Sequence, residues 1–167
     1  MPSFIQPLQG PRLNRLSPAD ADILLANARQ LLGIAEASQT ANLLRGKKLG
    51  LLCESEEDVD ALRFRRAAAE LGAHVAHIRP SLSEPSAPRV LQRTARVLGR
   101  LYDAIECQGL ATDLVRFLGD EAGVPVYDAI ASATHPTAAL APLLGDERPA
   151  EENRSLILQA VLVSTLL

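Results

Sequence analysis

The sequence predicts an α/β fold, a three-layer sandwich in which helices cover both faces of a four-stranded parallel sheet in a single domain. Two observations predict it. Four short apolar runs without helical period, Lys48 to Cys53, Val75 to Ile78, Ala104 to Cys107 and Val124 to Tyr127, read as buried strands. Longer segments whose apolar residues recur at helical spacing separate them, and strands that alternate with helices are joined by crossovers and run parallel. The length of 167 residues is that of one domain.

Met1 to Arg15 carries Pro2, Pro7, Gly10 and Pro11, too many breakers for a regular element, so residues 1–16 are expected to form an extended arm. Phe4, Ile5 and Leu8 are its residues for docking on the core. Ser17 precedes Pro18 at a first helical position, and Ile23, Leu24, Ala28, Leu31 and Leu32 predict a helix over 18–33. Ala35 to Asn42 continues it in weaker, polar form, and Arg45-Gly46 turns the chain into the first strand. Ser55 with Asp58 at N3 makes a capping pair for the next helix, which Val59, Leu62, Ala69 and Leu71 carry to Gly72. Ser81 to Pro88 is a loop, after which Val90, Leu91, Thr94, Val97, Leu98 and Leu101 line one helical face. Leu110 to Ala122 is a further helix, and Pro125 inside the last strand places that strand at a sheet edge. After a turn over Asp146 to Pro149, Ala150 to Leu167 forms a closing helix that is apolar on most of its circumference and so must be covered on most sides. The organisation expected is an arm (1–16), a domain (17–145) and a closing C-terminal helix (146–167).

Leu fills 29 positions and Ala 26, Trp is absent, and Phe and Tyr number three and two, so the core is aliphatic and aromatic platforms for bases are missing. A net charge of -3 gives no general attraction to nucleic acid or anionic membrane, and no apolar run approaches the roughly 20 residues that span a bilayer. The expectation is a soluble protein with neither nucleic acid nor membrane as partner. Residues 1–16 lack the pattern of a secretory leader and two cysteines make no disulfide framework, which points to the reducing cytoplasm.

Parallel sheets bind ligands beyond the carboxyl ends of their strands, here Cys53, Arg79, Cys107 and Asp128. Next to the first of these ends lies a turn with Glu56, Glu57, Asp58 and Asp60. Acidic residues favour a first helical turn, so it reads as a well-capped helix start, with a cation or amine site and a contact to a basic partner as alternatives. Arg89, Arg93, Arg96 and Arg100 fall on one helix face, a solvated or ion-paired surface in preference to an anion or RNA surface. Cys53, Cys107 and His135 together raise a soft-metal site, but buried cysteine as a small hydrophobe is the stronger reading, and no metal or cofactor is assigned. His74 and His77 stand three apart on a strand and point to opposite faces, so they cannot chelate one ion. His135 before Pro136 is either a turn histidine bonded to backbone or a ligand.

Several stretches, in order, resemble the ornithine and aspartate carbamoyltransferase family: Leu44-Arg45-Gly46-Lys47-Lys48-Leu49; Phe64 with Ala67 to Ala73; Thr94 to Leu98 with Tyr102-Asp103-Ala104-Ile105; Val124-Pro125-Val126; and His135-Pro136-Thr137 with Ala139-Leu140. Glu152-Asn153-Arg154 with Ala160 to Val163 and Thr165-Leu166 resembles the last helix of full-length ornithine carbamoyltransferases. The resemblance implies a carbamoyl phosphate domain closed directly by the terminal helix, with Gly145 to Pro149 standing where the family has its amino-acid-binding domain. It also implies a loss. The family cradles phosphate with a Ser-Thr-Arg-Thr-Arg run at a helix N-terminus, and counting back from Phe64 that run falls on Glu57-Asp58-Val59-Asp60-Ala61. The family's arginine after its third strand corresponds to Gln108, the glutamine after His-Pro-Thr to Ala138, and the Gly-Glu-Ser signal of the loop reaching a neighbouring subunit to Pro88-Arg89-Val90.

By this resemblance the ligand-binding residues are His135, Thr137, Gln108 and Ser55, with only His135 kept from the family's reactive site and no catalytic residue assigned. The function expected is a non-catalytic binding or assembly module. The alternatives are a carbamoyl phosphate-binding or carbamoyl-transferring protein that works with a separate acceptor subunit, and a regulatory subunit of a full-length carbamoyltransferase. The family's geometry further implies a homotrimer, with Glu57 and Asp58 of one subunit facing Arg89 and Arg93 of the next.

Overall fold

The computed structural model describes residues 5–9, 13–36, 39–80 and 87–167. Strands β1 (Lys48–Leu52), β2 (His74–Ile78), β3 (Ala104–Cys107) and β4 (Val126–Asp128) form one parallel sheet in the order β2-β1-β3-β4. The register sets Leu51 between His77 and Glu106, and Glu106 beside Tyr127. Helices α1 (Pro18–Glu36), α2 (Val59–Glu70) and α5 (Ala150–Leu166) share an apolar core with one face of the sheet, through Leu49, Leu51, Cys53, Ala104 and Tyr127. Helices α3 (Pro88–Leu101) and α4 (Thr112–Ala122) cover the other face, through Leu52, Ile105 and Cys107. This is the three-layer α/β sandwich expected, and the alternation of those side chains along β1 and β3 is what a two-sided strand requires.

Helix α5 lies among α1, α2 and a 3-10 helix over Pro136–Leu144. From Asn153 to Ser164 every residue but Ser155 is buried, so the closing helix is the centre of its layer. The arm docks as expected, with Ile5 and Leu8 against the core, while Phe4 lies outside the described residues. Buried Asn27 fastens it: its Oδ1 accepts from Gln6 N–H at 3.1 Å, and its Nδ2 donates to the Gln6 carbonyl at 2.9 Å and to Ser164 Oγ at 2.8 Å.

Several expected boundaries move. Helix α1 runs to Glu36, past 33, and a 3-10 turn over Thr40–Asn42 replaces the polar continuation. Helix α2 begins at Val59, with Asp58 in extended conformation at its N-cap, so Ser55 is not the cap. Ser55 closes a separate turn before the helix: its carbonyl accepts from Asp58 N–H at 3.4 Å and its Oγ from Glu57 N–H at 3.2 Å. Helix α4 starts at Thr112, because Leu110 is taken by packing against the second core. Strand β4 is an edge strand as Pro125 implied, but it begins at Val126, since proline has no N–H for the ladder and only its carbonyl takes part, accepting from Ile105 N–H at 2.9 Å. The 3-10 helix at 136–144 was not expected; Pro136 starts it and Pro142 inside it prevents an α-helical ladder. Residues Ser81 to Ser86 of the expected loop lie outside the described residues.

Candidate functional site

Beyond the carboxyl ends of β3 and β4 the chain gathers a buried polar cluster. Its founding residue is Glu106, which occupies an inward position of β3 toward α5 and is 0% exposed. Its two carboxylate oxygens accept from the backbone N–H groups of Ile130 and Ala131, each at 3.2 Å. Burial pushes the carboxyl up to about 8, against the pull of those two backbone donors and of the Gln108 side chain. Arg154, buried on α5, donates from Nη2 to the carbonyl of Ile130 and, at 3.3 Å, to that of Ser132. Arg63 of α2 donates to the Ala131 carbonyl at 2.6 Å. The Glu106 carboxyl group on its N–H groups and two guanidinium groups on its carbonyls thus hold the segment 130–132, directly after Ala129, whose φ of 53° is positive.

The held segment leads into His135 and Thr137, both buried. His135 Nδ1 accepts from the Thr137 N–H at 3.2 Å and lies 2.8 Å from Thr137 Oγ1, which in turn receives Arg154 Nη1 at 3.5 Å. The turn-histidine reading is therefore correct for Nδ1. Because Nδ1 accepts, the neutral ring carries its proton on Nε2, and burial followed by the charge of Arg154 holds the imidazole down at about 4. Among the described residues, His135 Nε2 and Arg154 Nε are buried with no hydrogen-bond partner.

Of the four ligand-binding residues expected, His135 and Thr137 are in direct contact, Gln108 follows β3 and stands two residues from Glu106, and Ser55 sits in the turn after β1. That turn is internally neutralised in part. Arg65 binds Glu56 at 3.0 Å, and Arg63 bridges Asp60 at 3.0 Å and the Glu151 carboxylate at 3.0 and 3.1 Å. Glu57 and Asp58 are exposed. Arg89 and Arg93 lie exposed on α3, and with Gln92, Arg96, Val97 and Arg100 they line a shallow groove of about 360 Å³. Beside it Glu121 of α4 accepts from Gln92 at 3.0 Å and pairs with Arg96 at 3.5 Å, while Arg89, Arg93 and Arg100 are exposed, a partly ion-paired and partly solvated face. Both cysteines are free and buried, and their pKa values are raised first by burial. No group of three or more His, Cys, Asp or Glu side chains that could hold a metal occurs among the described residues. A cavity of about 660 Å³ lies elsewhere, between Leu13, Arg116 and Tyr127, and contains none of the expected site residues.

Glu106 and Arg154 were missed as site residues. The available signal was a charge inside an apolar pattern: Glu106 interrupts the run Ala104 to Cys107, and Arg154 stands in the most apolar helix of the chain. Buried charges are rarely tolerated without a polar partner, so each marked a place where the core had to turn polar.

An all-parallel sheet covered by helices on both faces, with a polar cluster beyond its carboxyl ends, defines the class of this chain as a parallel α/β domain. The model of the aspartate/ornithine carbamoyltransferase carbamoyl-P binding domain matches residues 11–145, and the chain belongs to that family. Among similar solved structures is ornithine carbamoyltransferase from Gloeobacter violaceus, 30% identical over 84% of this chain and 44% of that one, with a TM-score of 0.58. The fold is shared with ornithine carbamoyltransferase from Pyrococcus furiosus, at 24% identity, TM-score 0.65 and coverage of 84% and 44%. It is also shared with the catalytic subunit of M. jannaschii aspartate transcarbamoylase, at 23% identity, TM-score 0.61 and coverage of 77% and 42%. This chain therefore spans less than half the length of each. Among its described residues, no helix is long and apolar enough to cross a membrane.

Proposed function

We propose that the chain is a non-catalytic member of its family, a carbamoyltransferase-like domain used as a binding or assembly module. One observation carries the reading. Where the resemblance puts the phosphate cradle, the turn before α2 presents exposed Glu57 and Asp58, and the nearest guanidinium groups, Arg63 and Arg65, are engaged by Asp60, Glu151 and Glu56. Each carboxylate opposes a phosphate charge by about 3 kcal/mol at 6 Å for an effective dielectric near 20. The helix dipole returns only about 0.3 to 1 kcal/mol. Titration calorimetry should find carbamoyl phosphate bound no more tightly than millimolar, with no carbamoylation of ornithine or aspartate. Micromolar binding that inorganic phosphate competes away overturns the reading.

The contact of His135 with Thr137 favours a second reading, in which the domain handles carbamoyl phosphate together with a separate acceptor subunit. A third makes it a regulatory subunit that enters a full-length carbamoyltransferase, tested by co-purification with that enzyme. For its own assembly we infer a homotrimer with Arg89 and Arg93 of α3 against Glu57 and Asp58 of the neighbour. Their exposure and opposite charge support it. Arg89→Glu should weaken the trimer and Glu57→Arg in the same chain should partly restore it; a monomer at micromolar concentration in light scattering rules it out. The two free cysteines suit a cytoplasmic location.

A further inference from the structure

Strand β4 has β3 on one side and no strand on the other, and its open edge forms the floor of the cavity of about 660 Å³ beside α4. Five consecutive residues, Val124 to Asp128, line that cavity. Their side chains cannot all point into it: Val126 packs into the layer of α3 and α4, and Tyr127 into the layer of α1, α2 and α5. What the cavity meets along the whole strand is therefore backbone. The carbonyl of Pro125 and the N–H of Ala129 are turned toward β3, the one accepting from Ile105 N–H at 2.9 Å and the other donating to the Cys107 carbonyl at 2.8 Å. Successive residues alternate between the two edges of a strand, so Val126 and Asp128 turn their N–H and C=O groups outward. Among the described residues no group outside the sheet bonds these main-chain atoms.

We propose that this edge is a docking site for an extended peptide segment of another protein, which adds to β4 as a fifth strand and carries side chains of both charge signs. An unpaired strand edge recruits extended main chain through its own N–H and C=O groups. A second copy of this chain does not fit. Its β4 lies at the floor of the same recess, walled by α4, by Leu13 to Arg15 of the arm and by Ser164 and Thr165 of α5, and two recessed edges cannot meet. A slender segment can enter, and the volume lies within the range of ligand pockets, about 300 to 1,000 Å³. The walls set its charge, for they carry Arg15, Arg116, Asp120 and Asp128. Among the described residues Arg15 and Asp120 have no ion-pair partner, Arg116 reaches only the exposed Asp113 at 3.9 Å, and the Asp128 carboxylate accepts only from Asn14 at 3.4 Å. A segment of one sign meets repulsion from one pair, whereas a mixed segment complements both. The cavity holds no residue of the His135 cluster, so the site goes beyond the proposed function and stands whether or not carbamoyl phosphate binds.

The test titrates the ¹⁵N-labelled whole chain with the blocked pentapeptide acetyl-Val-Lys-Val-Glu-Val-amide. NMR should show saturable shifts at the Val126 and Asp128 amides, and the hydrogen exchange of those two N–H groups, fast in the free chain, should slow on saturation. The fully N-methylated pentapeptide should bind roughly tenfold more weakly, the factor for the loss of one or two hydrogen bonds. Versions with Lys at both charged positions or Glu at both should also bind more weakly than the mixed one. Arg15→Glu, at an exposed residue of the arm, should turn the preference toward the Lys version. Absence of a saturable shift overturns the site. Val126 and Asp128 amides that already exchange slowly in the free chain overturn the open edge, and protection that grows with protein concentration in the absence of peptide assigns the edge to a second copy instead. Equal binding of the N-methylated peptide overturns strand addition, and equal binding of the three charge versions overturns the mixed-charge class.

Discussion

Glu106 and Arg154 act on the same residue from opposite sides: the carboxyl group of Glu106 accepts the Ile130 N–H at 3.2 Å, and the guanidinium of Arg154 donates to the Ile130 carbonyl. The strand at the middle of the sheet and the helix at the middle of the layer above it thus fix one backbone segment, and with it His135.

That arrangement has a pH signature. Glu106 has its folded pKa raised from 4.5 to about 8, so between these values the folded chain binds the extra proton, and stability is lost as pH rises toward 8. His135, lowered from 6.5 to about 4, works in the other direction: stability is lost as pH falls from 6.5 to 4. The two slopes oppose each other in mild acid and only that of Glu106 remains above pH 6.5. Urea unfolding should therefore show stability falling between pH 6.5 and 8 by at most about 1.4 kcal/mol per pH unit. Glu106→Gln should flatten that slope, and an unchanged slope would show that another group titrates.

Helices α3 and α4 touch where neither can yield. A Cβ on Gly99 would lie 1.9 Å from the Ala122 carbonyl oxygen, which is backbone. Gly99→Ala should cost about 1 to 3 kcal/mol in chemical denaturation by forcing the helices apart. Gly33 in α1 is the internal control, because nothing lies within 4 Å of its added Cβ. There alanine should raise stability by about 0.5 to 1 kcal/mol.

Arg63 and Glu151 pair at 3.0 Å with the guanidinium largely covered and the carboxylate 69% exposed. A double-mutant cycle should give a coupling of about 0.2 to 1 kcal/mol, as for other solvent-facing pairs. Arg63→Ala alone should cost more, since it also strips the Ala131 carbonyl of its donor.

Ending the chain after Gly145 should abolish cooperative unfolding. Leu156, Ile157, Leu158, Val161 and Leu162 are all buried, and five such side chains contribute roughly 8 to 15 kcal/mol gross at about 1.5 to 3 each. Net stabilities are of the same size. A soluble fragment that melts cooperatively in calorimetry would contradict this.

The layers, the sheet and the family were legible because they rest on periodicity and on ordered local motifs. Leu49, Leu51 and Leu52 announce a strand buried on both faces wherever the chain folds. What escaped was set by tertiary contact. Ser55 and Asp58 have the spacing of a capping pair, yet backbone bonding within the turn delays the helix to Val59. The 3-10 helix after His135 has too many prolines to carry a helical period. Glu106 could be seen in the sequence as an oddity, but its partners are separated from it by 24 and 25 residues and only folding brings them to it.

The place of α5 in the core also sets an order in time. Synthesis produces Ala150–Leu166 after every strand and every other helix of the domain, so the sheet and α1 emerge with the apolar faces that α5 will cover still open. Contacts between α1 and α5 span more than a hundred residues, as the bond from Asn27 to Ser164 illustrates, and such long-range closure is slow to form. Until the last helix inserts, the apolar faces of the sheet and α1 are expected to stay exposed, the condition under which incomplete chains are prone to aggregate.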